Sequence, residues 1–291
     1  MPISRREFFK IAGASLGGAA LASVAEPVIA KSADASASML YDSTICVGCR
    51  ACQVACKKRS NLRHETDAQG LHEAPTDLSA YTWTLIKLYK NGDETVFVKN
   101  QCMHCEEPAC VSVCPVAALE KTDSGPVVYH PERCIGCRYC MAACPFGIPK
   151  SQWDKPLPYI QKCDFCADRQ AQGEQPACGE ACPTGALIFG TRAVMLQTAH
   201  TRLQNDGNYV QHVYGETEAG GTSMLYISHV GFDKLGFPEL KNKDLPSIDW
   251  PYMKAVPWVV GIVASLSTAI YFRTHRNEKI SGKESDDGHA N

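Results

Sequence analysis

The sequence has almost no excess of charge. It carries 29 Lys and Arg against 31 Asp and Glu, a net charge of −2 with neutral His, so nothing in the balance calls for a nucleic-acid partner. It contains no G-x-G-x-x-G, no P-loop and no C-x-x-C-H, which removes the usual signatures of dinucleotide, nucleoside triphosphate and covalent haem binding. No nucleophile-and-base set stands out, and the chain is read as non-catalytic. Aromatics at 8% and charged residues at 21% exclude a disordered chain. What is abundant is cysteine, with 16 in 291 residues.

All sixteen fall between Cys46 and Cys182, in four groups of four. Cys46, Cys49, Cys52 and Cys56 are spaced C-x2-C-x2-C-x3-C. Cys102, Cys105, Cys110 and Cys114 are spaced C-x2-C-x4-C-x3-C, followed by Pro115. Cys134, Cys137, Cys140 and Cys144 repeat the first spacing, followed by Pro145. Cys163, Cys166, Cys178 and Cys182 are spaced C-x2-C-x11-C-x3-C, followed by Pro183. This is a fourfold internal repeat of ligand sets with inserts of different length.

The spacing separates three chemistries. A C-x2-C-x2-C run wraps the backbone around one small body and offers a thiolate to each of three irons, while the fourth cysteine ligates the other cluster of a pair. Zinc knuckles come as C-x2–4-C pairs and give no reason for a third cysteine two residues on. Disulfide frameworks need no fixed pitch, and C-x2-C neighbours rarely bridge each other in one. Four 4Fe-4S clusters in two pairs are therefore expected, with every position Cys.

Spacing alone leaves the pairing open. Proximity suggests that groups two and three exchange their fourth ligands: Cys102, Cys105, Cys110 and Cys144 around one cluster, Cys134, Cys137, Cys140 and Cys114 around the next. Groups one and four pair by elimination: Cys46, Cys49, Cys52 and Cys182, and Cys163, Cys166, Cys178 and Cys56. One unit is then nested inside the other. Gly48 and Gly136 let backbone N–H groups approach the cluster without a side chain in the way, a role that does not exclude an ordinary tight turn. His104 lies inside Cys102–Cys105; the cysteine count being complete, it is expected beside the ligands rather than among them. The run Lys57-Lys58-Arg59 reads as a solvated face whose charge could raise a nearby potential.

The two ends suggest a topology. Arg5-Arg6 followed by Phe8-Phe9-Lys10, an Ala/Gly-rich apolar run from Ile11 to Val24, and Val28-Ile29-Ala30 have the parts of a twin-arginine export signal over residues 1–30. Ala255 to Phe272 is 18 residues without a charge, flanked by Trp258 and Tyr271-Phe272 and followed by Arg273, His275, Arg276 and Lys279. That reads as a C-terminal transmembrane anchor over 251–275 with the tail, 276–291, in the cytoplasm and the preceding domain in the periplasm. A core helix is the competing reading, favoured by Pro257 and the modest length.

Between them, Tyr81–Tyr89 and Glu94–Lys99 around Asn91-Gly92 predict a β-hairpin inserted between groups one and two. Val127–Tyr129 predicts a short strand. Arg192–Gln204 predicts a helix with Val194, Leu196 and Leu203 as its apolar positions. Ser223–Val230 predicts a strand, and Lys241–Asp249 a polar linker. With little regular structure, the metal should supply much of the folding energy, and the apo chain is expected to be largely unfolded.

From about Leu40 to Gly190 the cysteine pattern resembles the four-cluster ferredoxin-like β subunits of formate dehydrogenase and other molybdopterin oxidoreductases. A closer resemblance, over nearly the whole chain, is to the HybA-type iron–sulfur subunits of membrane-bound nickel–iron hydrogenase 2. It is carried by Met39-Leu40-Tyr41-Asp42-Ser43-Thr44, Gln101-Cys102-Met103-His104-Cys105, Cys137-Arg138-Tyr139-Cys140-Met141, Ile188-Phe189-Gly190-Thr191-Arg192, Tyr214-Gly215-Glu216 and Gly220-Gly221-Thr222. Group one departs in lacking a Pro after Cys56. The resemblance implies an α+β fold: two nested ferredoxin-like units, each with two 4Fe-4S clusters, in residues 31–190, a post-cluster extension over 191–250, and one C-terminal transmembrane helix. It also implies an electron-transfer subunit between the small and large subunits of a periplasmic nickel–iron hydrogenase and a polytopic quinone-reactive membrane protein of the HybB/NrfD kind. The alternative within the class is a β subunit of a formate dehydrogenase or other molybdopterin oxidoreductase. A scaffold with inert crosslinks is the alternative outside it.

Overall fold

Met39, Leu40 and Tyr41 sit at the centre of the fold on strand β1 (Ala37–Asp42), with Met39 and Leu40 wholly buried. The computed structural model describes residues 35–63, 77–91 and 94–286. The expected export signal and Gly92 of the expected turn lie outside those residues.

In chain order β1 is followed by α1 (Ala51–Arg59), β2 (Thr84–Asn91), β3 (Glu94–Gln101), α2 (Ala109–Ser112), β4 (Leu119–Lys121), β5 (Val127–Tyr129) and α3 (Tyr139–Ala143). Then come β6 (Lys150–Ser151), β7 (Ile160–Gln161), α4 (Ala167–Ala171), α5 (Ala177–Glu180), β8 (Leu187–Thr191), α6 (Arg192–Asn205), β9 (Met224–Ile227) and α7 (Leu245–Asp286). Strand β1 is central in a three-stranded sheet of order β8-β1-β9, antiparallel to β8 and parallel to β9. The other strands pair as two-stranded ribbons, β2-β3, β4-β5 and β6-β7.

Side-chain alternation gives the sheet two jobs. Met39, Tyr41, Met224 and Tyr226 face the cysteine-bearing loops and pack with Met103, Phe165 and Cys178. Leu40, Leu225 and Ile227 face the other way, against Met195, Ala199 and Leu203 of α6. These three helix positions are four residues apart, so they form one stripe. The expected apolar position Val194 is instead half exposed and Met195 takes its place, because the register of the stripe is set by the sheet. Leu196 packs at the edge of the same cluster.

The expected hairpin is present as β2 and β3, in register from Thr84↔Gln101 to Asn91↔Glu94. The strand expected over Ser223–Val230 is confined to Met224–Ile227. Residues 191–250 supply β9 and α6 to the same sheet as β1. Their glycine-rich segment wraps buried Arg192, whose guanidinium donates to the carbonyls of Glu216 (2.8 Å) and Thr222 (3.2 Å). The expected linker is already helical from Leu245, and the helix runs on to Asp286, through most of the expected tail.

Within α7, Lys254–His275 is 22 residues with a mean hydropathy of 1.7 and none of it buried. It is the one helix among the described residues long and apolar enough to cross a membrane; at 1.5 Å per residue it spans about 33 Å, near the thickness of a hydrocarbon core.

Candidate iron–sulfur sites

Each group of cysteines enters a loop with the same backbone device. The residue before the second cysteine has positive φ in all four: Gly48 (66°), His104 (47°), Gly136 (73°) and Phe165 (60°). A residue held at positive φ turns the chain sharply and lets backbone N–H groups face an anion. The N–H groups of Gly136 and Phe165 donate to the Sγ of Cys134 and Cys163, each at 3.4 Å. Glycine marks two of these loops in the sequence; His104 and Phe165 occupy the same position with no such signal. They stack on each other at 4.6 Å between centroids.

His104 is buried, and burial, with the charges of Lys162 and Lys121, holds it far below the usual imidazole range. Its Nδ1 accepts from the N–H of Val127 (3.0 Å), which puts the proton on Nε2, and Nε2 has no hydrogen-bond partner among the described residues.

The short helices end where proline follows the fourth cysteine. α2, α3 and α5 stop at Ser112, Ala143 and Glu180, just ahead of Cys114-Pro115, Cys144-Pro145 and Cys182-Pro183. Group one has no such proline, and α1 runs on past Cys56 to Arg59. The extra turn ties the first group to the fourth: Arg59 pairs with Asp164 at 2.6 Å and with Asp168, flanking Cys166. Lys57 donates to the carbonyl of Tyr81 (2.7 Å) and to Thr82 Oγ1 (2.8 Å). Of the run expected as a solvated face, only Lys58 is exposed; the other two cations hold neighbouring segments.

All sixteen thiols are free of disulfides. A concavity of about 330 Å³ is lined by Cys46, Cys49, Cys52 and Cys182, with Tyr41 and Lys99. A second, about 320 Å³, is lined by Cys114, Cys134, Cys137 and Cys140. Burial raises Cys105, and the Cys102, Cys144 and Cys110 thiolates add to it. Burial pushes Cys56 up to about 12, with Cys178 and Cys166 adding to it.

Neighbouring sets also touch electrostatically. Cys178 feels Cys52, Cys163 feels Cys102, and Cys110 feels Cys140. Ordered by these couplings, the expected sets run one, four, two, three by the group supplying three cysteines. The inner two sets have no exposed cysteine, whereas the outer two each have one, Cys49 and Cys137.

The donor chemistry fits 4Fe-4S clusters. Among the described residues no three His, Cys, Asp or Glu side chains converge closely enough to hold a single metal ion. Sulfurs spread around an opening suit a body with several metal corners and do not suit zinc. Buried thiols whose proton affinity is raised by one another also call for a strongly cationic body to hold them as thiolates.

Comparison with known proteins agrees. The 4Fe-4S dicluster domain matches residues 94–192. The chain is 33% identical to the hydrogenase-2 operon protein HybA of Escherichia coli O157:H7, over 99% of both chains. The chain belongs to the HybA-like family of 4Fe-4S ferredoxin subunits. It is also 42% identical to a protein of Nitratidesulfovibrio vulgaris, over 97% of this chain and 80% of that one. It is 39% identical to the iron–sulfur subunit of the nitrate-inducible formate dehydrogenase of E. coli K12, over 71% of this chain and 73% of that one. This HybA-like chain is thus an iron–sulfur electron-transfer subunit of the hydrogenase and formate dehydrogenase family, and its sixteen cysteines match the need of four clusters.

Proposed function

We propose that this subunit relays single electrons between a periplasmic nickel–iron hydrogenase and a polytopic quinone-reactive membrane protein. When bound, a 4Fe-4S cluster with four cysteine ligands takes up and releases one electron and has no open coordination site for substrate. Cys46, Cys49, Cys52 and Cys182 hold the first cluster, Cys102, Cys105, Cys110 and Cys144 the second. Cys134, Cys137, Cys140 and Cys114 hold the third, and Cys163, Cys166, Cys178 and Cys56 the fourth. The observation that carries the reading is the linear order of the sets with an exposed cysteine only in the outermost two. An inert scaffold needs neither feature; a relay needs a buried interior and an accessible thiolate at each end.

The remaining residues serve that path. The positive-φ residues before Cys49, Cys105, Cys137 and Cys166 turn the backbone around the clusters, and the sheet face of Met39, Tyr41, Met224 and Tyr226 packs with Cys46, Cys52 and Cys182 of the first set, Cys105 of the second and Cys178 of the fourth. Lys254–His275 anchors the domain, with Arg273, His275 and Arg276 on the cytoplasmic side. A twin-arginine signal over residues 1–30 lets clusters be inserted before export.

The hydrogenase assignment rests on the match to HybA, which includes the post-cluster region and the C-terminal helix. The formate dehydrogenase reading is favoured by higher identity over a shorter stretch. The native complex, solubilised and kept anaerobic, separates them. Hydrogen should bleach the iron–sulfur absorbance. Bleaching by formate alone would move the chain to the second reading, and bleaching by dithionite alone would remove both partners.

A further inference from the structure

We propose that two buried lysines, Lys99 and Lys162, supply the counter-charge at two junctions between thiol sets, Lys99 between the first and fourth and Lys162 between the fourth and second, and so set the potentials of the clusters on either side. The proposal rests on the four-cluster reading above. Lys99 is 1% exposed and Lys162 5% exposed. A buried ammonium is costly unless an anion balances it. Both lysines instead donate to neutral acceptors: Lys99 Nζ to Thr84 Oγ1, and Lys162 Nζ to the carbonyls of Val127 (2.5 Å) and Cys163 (2.8 Å). Among the described residues neither has a carboxylate at ion-pair distance, whereas Lys121 has Glu106 at 3.6 Å.

The anions in reach are thiolates. Lys99 lines the first concavity together with its four cysteines, and its charge acts on Cys52 of that set and on Cys56 and Cys178 of the fourth. Lys162 acts on Cys110 and Cys144 of the second set and sits on the carbonyl of Cys163 of the fourth. Each lysine is therefore shared by two sets, and the fourth set is common to both. The inserted hairpin has a function in this reading: on β3, Val96 and Val98 face a separate core, and the alternate positions carry Lys99 toward the clusters.

A cluster held by four thiolates is anionic and becomes more so on reduction. A fixed positive charge beside it favours the reduced state and raises its potential, with an effect that falls off with distance. The test is an EPR-monitored redox titration of anaerobic holoprotein, native and with Lys99→Met, Lys99→Arg, Lys162→Met or Lys162→Arg, with iron and sulfide counted in each. Each Met variant should lower two of four midpoint potentials. One cluster should move in both variants and one in neither, and the Arg variants should stay near the native values. Met variants that load fully with unmoved potentials, or that shift all four clusters equally, would overturn the proposal. Where a Met variant loads incompletely, full loading of its Arg counterpart supports a requirement for charge, and equal failure of both overturns it. Native protein with fewer than four reducible clusters would overturn the four-cluster reading itself.

Discussion

Gly48→Ala and Gly136→Ala look like the same substitution in two copies of one loop, but the structure separates them. Both glycines have positive φ, 66° and 73°, so Ala at either costs about 1–2 kcal/mol of backbone strain. A Cβ at Gly136 meets nothing within 4 Å, whereas one at Gly48 would lie 2.3 Å from Phe97 Cε1 and 2.5 Å from Cζ. The Phe97 ring has to shift by rotation alone, because its backbone carbonyl accepts from Tyr41 Oη at 2.7 Å and fixes β3 against β1. Overpacking of this kind adds about 1–3 kcal/mol. Gly48→Ala should therefore cost roughly 2–5 kcal/mol and Gly136→Ala roughly 1–2. With tenfold per 1.4 kcal/mol, the clash alone speeds opening of the first site about 5- to 150-fold. The assay is the rate of loss of iron–sulfur absorbance in anaerobic holoprotein under chelator, measured for each variant and for Gly48→Ala with Phe97→Val. The valine keeps the strand and its carbonyl while removing the ring, so the double variant should return to the rate of Gly136→Ala. Equal rates for the two single variants, or no rescue by valine, would refute the argument that the hairpin packs directly on the first loop.

Three further outcomes are expected. Cys182→Ser should abolish or convert the same EPR signal as Cys49→Ser, and Cys56→Ser the same signal as Cys166→Ser, despite separations of more than a hundred residues; different signals lost within either pair would break the ligand scheme. Met195→Ala should destabilise the holoprotein by about 2–5 kcal/mol, and Val194→Ala by less than about 0.5, read as shifts of the thermal cluster-loss transition. Ending the chain at Asp244, before α7, should move the protein from the membrane to the soluble fraction with its iron content unchanged; iron lost along with membrane attachment would mean that the helix also supports the fold.

The sequence made the four cysteine groups legible because ligand spacing is a local constraint: two or three residues between thiolates can be read without knowing the fold. The β2-β3 hairpin and β5 were legible for the same reason, through alternation and turn residues. What escaped was set by distant partners. Ala37–Asp42 has no polar alternation, since β1 is covered on one side by Met103 and Phe165 and on the other by α6, so it does not announce itself as the central strand. Val194 and Met195 are equally apolar, and only the sheet beneath α6 decides which is buried. His104 and Phe165 share the backbone conformation of Gly48 and Gly136, but a non-glycine residue held at positive φ by its surroundings leaves no mark in composition. Lys99 reads in sequence as the polar end of a hairpin strand.

The ligand scheme has a consequence for the order of assembly. In the proposed ligand scheme the site begun by Cys46 is completed by Cys182 and the site begun by Cys163 by Cys56, so the first and fourth sets close around everything between. Strand pairing repeats the pattern, because β1 waits for β8 and β9, both after residue 186. On that scheme the first cluster waits for Cys182 in a chain of 291 residues, and the complete sheet waits for Ile227 at the end of β9. The second and third sets, with all their proposed ligands between Cys102 and Cys144, can form earlier, and Arg59 with Asp164 and Asp168 then fastens α1 to the fourth loop as the first and fourth sets close. Metal insertion and folding are on this scheme one late event. A chain built this way has to be completed where iron and reduced thiols are at hand.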